Sequence, residues 1–382
     1  MTPSPGRPVA VVSGMVAGVP GQAGASWAVL QYVLGLRRLG FDVLLVEPTA
    51  AVADGMPLAR SASARWLDAI AGDVGLTGRA CLLAPTGEVH GVEAVEVQAL
   101  AQQAEVLLNI SGMLPLDGPF GTIPVRAYLD LDPAFNQLWH AMWGIEMGFA
   151  GHTHHVTVGL NVGHPSCPVP ACGIGWMHTL PPVDLDAWTT GDRVTFDALT
   201  TVGNWRSYGS IERDGVLYGQ KAHSMRSLAP LAACSAKALR PAFAIDPSEP
   251  DVAVMADAGW SFLDPAPHTA SLGAYHDFVS GSWAELGVAK SGYVASRSGW
   301  FSDRSACYLA AGRPVLAEDT GLAAHLPTGE GLLTFSDVAG AAAGIDDLVA
   351  RYPRHRRAAR ELAEAYLDAR TVLAQLLAGL GV

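Results

Sequence analysis

From Pro8 to Leu36 the chain carries no charged residue, a run long enough to cross a bilayer. With Arg7 before it and the small residues GQAGAS within it, the run also has the outline of a secretory leader. Gly14, Gly18, Pro20, Gly21 and Gly24 break it in the middle, however, and the pattern resumes as SWAVLQYVLGLRRLG and then FDVLLVEP. Strand, glycine-rich loop, helix and strand account for the whole stretch. Removal of the first strand as a leader would leave the helix and second strand without a sheet to cover. The expectation is a soluble, cytosolic α/β opening.

The same alternation continues. Residues 63–75 and 92–103 carry helical periodicity, while 104–112 (AEVLLNISG) and 124–133 (PVRAYLDLDP) are apolar runs suited to parallel strands buried on both faces. Residues 148–188 lack either period and are rich in Gly, Pro, His and Cys, so they are expected to be loop and linker. Beyond Pro181 and Pro182 the alternation restarts, with strands expected at 195–205 and 241–247 and a helix at 219–232. Residues 353–380 form one long amphipathic helix or two joined ones. At 382 residues the chain suits two domains, 1–180 and 181–352, with 353–382 as a closing helix.

The net charge of −12 and the lack of a long Lys/Arg block argue against nucleic acid as a partner. The cations are unevenly spread: Lys221, Lys237 and Lys290 are the only lysines, and 14 of the 21 arginines also lie beyond residue 180. Five scattered cysteines do not make a disulfide framework and fit reduced thiols in a cytosol. Residues 351–360 (RYPRHRRAAR) are the one basic cluster. Helical pairing with Glu361 and Glu364 explains it without a membrane surface, so no membrane contact is expected; a homodimer stays open.

The strongest local signal is WFSDRSACYLAAGRPVLAEDTG. Ser302 suits an N-cap and Asp303 the first turn, and Gly312 stops the helix before a strand at 314–317. The helix start offers backbone N–H groups beside the Ser302 and Ser305 hydroxyls and the Arg304 guanidinium, which together suit a phosphate. The segment resembles the donor-binding part of GT-B-fold glycosyltransferases, in which an alanine-rich turn is followed by Gly-x-Pro-Val and an acidic loop. The resemblance implies two Rossmann-like doubly wound domains facing a cleft, with a C-terminal helix crossing back to the first domain. It also implies that Glu318, Asp319, Thr320 and Gly321 contact sugar or phosphate, that Arg206 and Lys221 hold the diphosphate, and that the loop from Gly14 borders the donor. One position departs from the family: its ribose-binding carboxylate falls on Cys307, and a thiol cannot accept two hydroxyl bonds. Asp303, one turn earlier, is the substitute.

Asp130 and Asp132 form a DxD at a strand end, a pattern that elsewhere holds a metal-bound nucleotide. Here either aspartate is instead a candidate general base. His152, His154 and His155 are expected between the domains, with His154 first choice to take the acceptor proton. His164, Cys167, Cys172 and His178 have loose zinc-like spacing, and no metal site is assigned to them. The resulting expectation is a metal-independent, cofactor-free transferase. It would move a sugar from a UDP, GDP or TDP donor to a natural-product, other small-molecule or glycan acceptor. An epimerase or phosphorylase on the same fold and a non-catalytic sugar-nucleotide-binding subunit are the alternatives.

Overall fold

The computed structural model describes residues 6–49 and 56–382. Eight strands form the first sheet: β1 (Val9–Ser13), β2 (Asp42–Pro48), β3 (Ala80–Leu83), β4 (Val89–His90), β5 (Ala104–Ile110), β6 (Val125–Asp130), β7 (His154–Thr157) and β8 (Trp176–His178). Their order is β4-β3-β2-β1-β5-β6-β7-β8, with only β4 antiparallel to its neighbour. Every residue of β1 is buried. Ala10 and Val12 join one core and Val9 and Val11 another, because alternate side chains leave opposite faces of a strand that helices cover on both sides.

The second sheet contains β9 (Phe196–Asn204), β12 (Leu239–Ala244), β13 (Ser282–Gly287), β14 (Val315–Glu318) and β15 (Leu332–Phe335), all parallel, in the order β12-β9-β13-β14-β15. After β9 the chain makes a hairpin of β10 (Ile211–Arg213) and β11 (Val216–Tyr218). Asp214 and Gly215 both take positive φ at its tip, as a two-residue turn of this hand requires. In each sheet the chain leaves a central strand first to one side and then to the other, which opens a crevice at the strands' carboxyl ends.

Five helices frame that crevice: α1 (Ala23–Arg38), α2 (Lys221–Ser227), α3 (Leu272–Gly281), α4 (Ser291–Ser296) and α5 (Asp303–Ala310). Trp27 of α1 donates its indole N–H to the Leu272 carbonyl at 3.1 Å, tying the two halves together at one edge. The C-terminal segment is two helices, α6 (Tyr352–Leu362) and α7 (Ala369–Leu380), separated by a wider turn at Ala363–Leu367. There the chain runs beside its own earlier passage: Val183 N donates to the Leu367 carbonyl at 2.8 Å, and Ala369 N to the Val183 carbonyl at 3.0 Å. Helix α7 then packs on α1 at Gly35, where an added Cβ would lie 2.5 Å from a Leu373 methyl.

Two sequence expectations change. Residues 148–188 are not linker throughout: β7 and β8 extend the first sheet there, and strands of four and three residues are too short to display a period. The helix expected over 219–232 ends at Ser227, with a separate short turn at Leu231–Cys234. No helix among the described residues is long and apolar enough to cross a membrane.

Candidate functional site

Between the carboxyl ends of the two sheets lies a cleft of about 580 Å³. Its two walls differ in chemistry. The first half contributes Met15, Gly21, Gln22, Gly24 and Leu131, with one charged residue, Asp132. The second half contributes Lys221, Lys290, Asp303 and Arg304.

The uncharged wall is held by a carboxylate the sequence did not single out. Glu47, at the end of β2, is buried and accepts hydrogen bonds from Val16 N at 2.8 Å and Ala17 N at 2.6 Å, fixing the loop after β1. Gly24 is where that wall meets the second half, since an added Cβ would sit 2.9 Å from the Tyr275 ring.

The charged wall begins at α5. Ser302 caps the helix through its backbone, and its hydroxyl makes no capping bond. Arg304 donates from Nε to Glu285 at 2.5 Å and from Nη1 to the Val202 carbonyl at 3.2 Å, while Nη2 is buried with no partner among the described residues. A guanidinium so placed has Nε and Nη1 committed to the fold and leaves one buried donor without a protein partner among those residues. Lys221 donates to the Val288 carbonyl at 2.6 Å. Burial, and then the Arg304 charge, hold its ammonium well below the usual lysine range. Asp303 faces the same space; burial pushes its carboxyl up, against the Arg304 charge and the backbone N–H bonds that lower it. A carboxyl shifted that way repels an incoming anion less.

Lys290 and its partners were missed as a group. Its ammonium lies 3.0 Å from Asp132 Oδ2. The Tyr208 and Tyr293 hydroxyls both donate to the Asp132 carboxylate, and Lys290 donates to Tyr208. Burial, foremost, drives both phenols well above their ordinary range. The residues lie up to 161 positions apart in sequence, so no local motif could have revealed them.

The remaining candidates lie elsewhere. Asp130 is fully buried and accepts from Asn136, Gln137, Thr157 and the Asp132 backbone at 2.7–3.0 Å, so it fixes the end of β6 and does not reach the cleft. His154 opens β7, at the amino end of the sheet and away from the cleft at its carboxyl ends, and bonds Thr153. His152 and His155 pack with Tyr128, as well as Phe149 and Trp176 in the case of His155. Arg206 is 40% exposed and pairs with Glu249 at 3.2 Å. Gly14 does not line the cleft: an added Cβ would meet Val29 at 2.8 Å, so its bareness lets α1 approach β1.

Ser305 and Glu318 border a small enclosed space behind α5. There Glu318 accepts from Ala289 N at 3.1 Å, and burial raises its carboxyl to about 7. Thr320 donates to the Trp300 carbonyl at 2.6 Å, and Asp319 accepts from Gly321 N at 2.8 Å; both bonds shape loops. Cys307 is buried against Gln31 of α1 and does not face the cleft. The Cys167 thiol is directed at the Ser296 carbonyl and that of Cys172 at the Gln137 carbonyl, so the zinc-like spacing brings no ligand set together.

No protein-family model and no curated protein sequence matches the chain. Solved structures do match. An alpha-glucosyltransferase in complex with UDP-glucose and DNA is similar over 98% of this chain and 99% of its own, at 12% identity and a TM-score of 0.59. HepE from Anabaena, in complex with UDP-glucose, aligns over 97% of this chain and 99% of its own at 11% identity, with a TM-score of 0.58. A glycosyltransferase from Rickettsia africae aligns over 98% of both chains at 9% identity and 0.53. These neighbours correct one expectation. Several structures of this fold hold DNA, so the acidic net charge does not exclude a nucleic acid as partner. The two facing parallel sheets, the cleft between their carboxyl ends and the returning C-terminal helix are the GT-B fold of these glycosyltransferases.

Proposed function

We propose that the chain is a glycosyltransferase that binds a nucleoside diphosphate sugar, with uridine diphosphate as the first nucleotide to test. The observation that carries this reading is the convergence of Lys221, Lys290 and Arg304 on one cleft in a protein of net charge −12. Arg304 and Lys290 are each paired with one carboxylate inside the fold, Glu285 and Asp132, so an incoming diphosphate would share or exchange these partners rather than meet bare cations. The unpartnered Nη2 of Arg304 and the first backbone N–H groups of α5 are donors suited to phosphate oxygens. Cations fixed before reaction stabilise the leaving diphosphate as its charge develops, with no reorganisation at that moment. These side chains then take the role a divalent ion has in other transferases, and no cofactor is needed beyond the donor.

Asp303 is placed to meet ribose hydroxyls, in the role the family gives to the position of Cys307. Asp132 is the first-half carboxylate at the cleft, placed to orient an acceptor hydroxyl once Lys290 turns to the donor phosphate. The acceptor is a hydroxyl-bearing molecule small enough, or with a protruding group narrow enough, to pass the wall of Met15 and Gln22.

The test is a thermal-shift series with nucleoside diphosphates, followed by measurement of UDP release from UDP-sugars with and without candidate acceptors. A specific binder raises the melting temperature in proportion to the logarithm of ligand concentration. The absence of any shift at millimolar nucleotide would refute the donor site; a shift without turnover on any sugar donor would favour the non-catalytic binding subunit.

A further inference from the structure

A second cavity, of about 270 Å³, shares no lining residue with the cleft. Asn161, His164 and Ser166 line it from the loop after β7; Arg297, at the end of α4, and His325, beyond β14, line it from the other half. Asn161 joins the two sides. Its backbone N–H donates to the Ser298 carbonyl at 2.9 Å and its Nδ2 to the Arg297 carbonyl at 2.8 Å.

The bonds fix which groups remain for a ligand. Because Asn161 Nδ2 donates to Arg297, its Oδ1 is the acceptor 2.7 Å from His325 Nε2, so that nitrogen carries the proton. Ser166 N donates to His164 Nδ1 at 3.2 Å, which leaves the N–H of His164 on Nε2, where it has no partner among the described residues. The Arg297 guanidinium has no hydrogen bond or ion pair among the described residues, and its backbone is held at φ 45°. No carboxylate lines the space. Asp319, beside it in the chain, is turned to Gly321 N.

With the Asn161, Ser166 and His325 donors committed within the fold, the Arg297 guanidinium and the His164 Nε2–H are the donors left facing a space that no carboxylate lines, an arrangement suited to an anion. We propose that this cavity is a second anion site, separate from the cleft, that takes a phosphate group, either inorganic phosphate or the phosphate of a small sugar monophosphate. A guanidinium and an imidazole N–H match two oxygens of such a group. Because the lining comes from both halves, the bound anion also joins them. The proposal stands independently of the donor reading.

The test is calorimetric titration of the full chain with inorganic phosphate and with a hexose monophosphate, each with and without saturating UDP. Binding of either probe in the presence of UDP is expected. Arg297→Asn, which removes the charge and tolerates the left-handed backbone, should weaken that binding by about tenfold or more and leave UDP binding unchanged. His164→Gln should weaken it less. A hexose monophosphate bound more tightly than phosphate identifies a phosphosugar as the ligand, and equal affinities identify phosphate itself. The proposal is overturned if neither probe binds at millimolar concentration, if UDP displaces both, or if both variants bind as the parent does. Failure of UDP to bind would remove the donor reading and leave this outcome intact.

Discussion

The two walls of the cleft are built by the same kind of element, loops at the carboxyl ends of parallel strands, yet they carry different chemistry. The first-half wall is glycine, alanine and uncharged side chains around one aspartate; the second-half wall holds two lysines, an arginine and an aspartate. A wall of small residues sets shape, whereas a wall of fixed charge sets which ligand is held. The contrast assigns donor recognition to the second half and access to the first, and substitutions can break that division.

The largest effect is expected at Arg304. Its removal leaves Glu285, which is fully buried, without a cation, and loss of one partner of a buried pair costs about 3–5 kcal/mol. Arg304→Ala should therefore lower stability in chemical denaturation and abolish nucleotide binding together. The double variant Arg304→Met with Glu285→Gln separates the two, recovering much of the stability and none of the binding. Recovery of nucleotide affinity in the double variant would remove Arg304 from the donor site.

Glu318 comes next, behind the charged wall. Burial raises its carboxyl from 4.5 to about 7, so the folded chain keeps a proton that the unfolded chain has released. Its contribution to stability is therefore greatest at low pH, declines between those two values and stays low above them. Glu318→Gln should be more stable than the parent by about 3 kcal/mol above neutrality and no different at low pH. Denaturation midpoints across pH test this, and parallel curves would show that the carboxyl is not held neutral.

A smaller effect separates Lys221 from Arg206, the two cations that the family resemblance joined. Burial depresses Lys221, so an anion beside it should raise its affinity for a proton, and nucleotide binding should be accompanied by proton uptake. Calorimetry in buffers of different ionisation enthalpy measures that uptake. Lys221→Met should abolish it and weaken binding by about tenfold, or 1.4 kcal/mol. Arg206→Ala, which breaks an exposed pair, should change stability by less than about 1 kcal/mol and leave binding as it was. Equal losses in both variants would erase the distinction.

What sequence reveals about this molecule divides along the same line. The central strands of both sheets were legible because burial on both faces makes continuous apolar runs, and Ser302 to Arg304 because a helix start is local, whereas the short β3, β4, β7, β8 and β15 were not. Asp132 was legible as a residue but not distinguishable from Asp130. Two positions decide between a carboxylate that accepts four bonds inside the fold and one that faces the cleft, and only the end of β6 at Asp130 makes that decision. Lys290, Tyr208 and Tyr293 meet Asp132 only in three dimensions. Arg313, in the Gly-x-Pro-Val motif itself, is fully buried and donates to the carbonyls of Ser280, Gly191 and Arg193, so a count of arginines overstates the cations available to a ligand.

The side-by-side passage of Val183 and Leu367 has a mechanical consequence. Two covalent links join the halves, and because they are hydrogen-bonded to one another at a single point they behave as a door hinge with one pin. A hinge-type opening would move residues near 183 and 367 least and would have to break the ties that Trp27, Asn161 and Lys290 make across the halves.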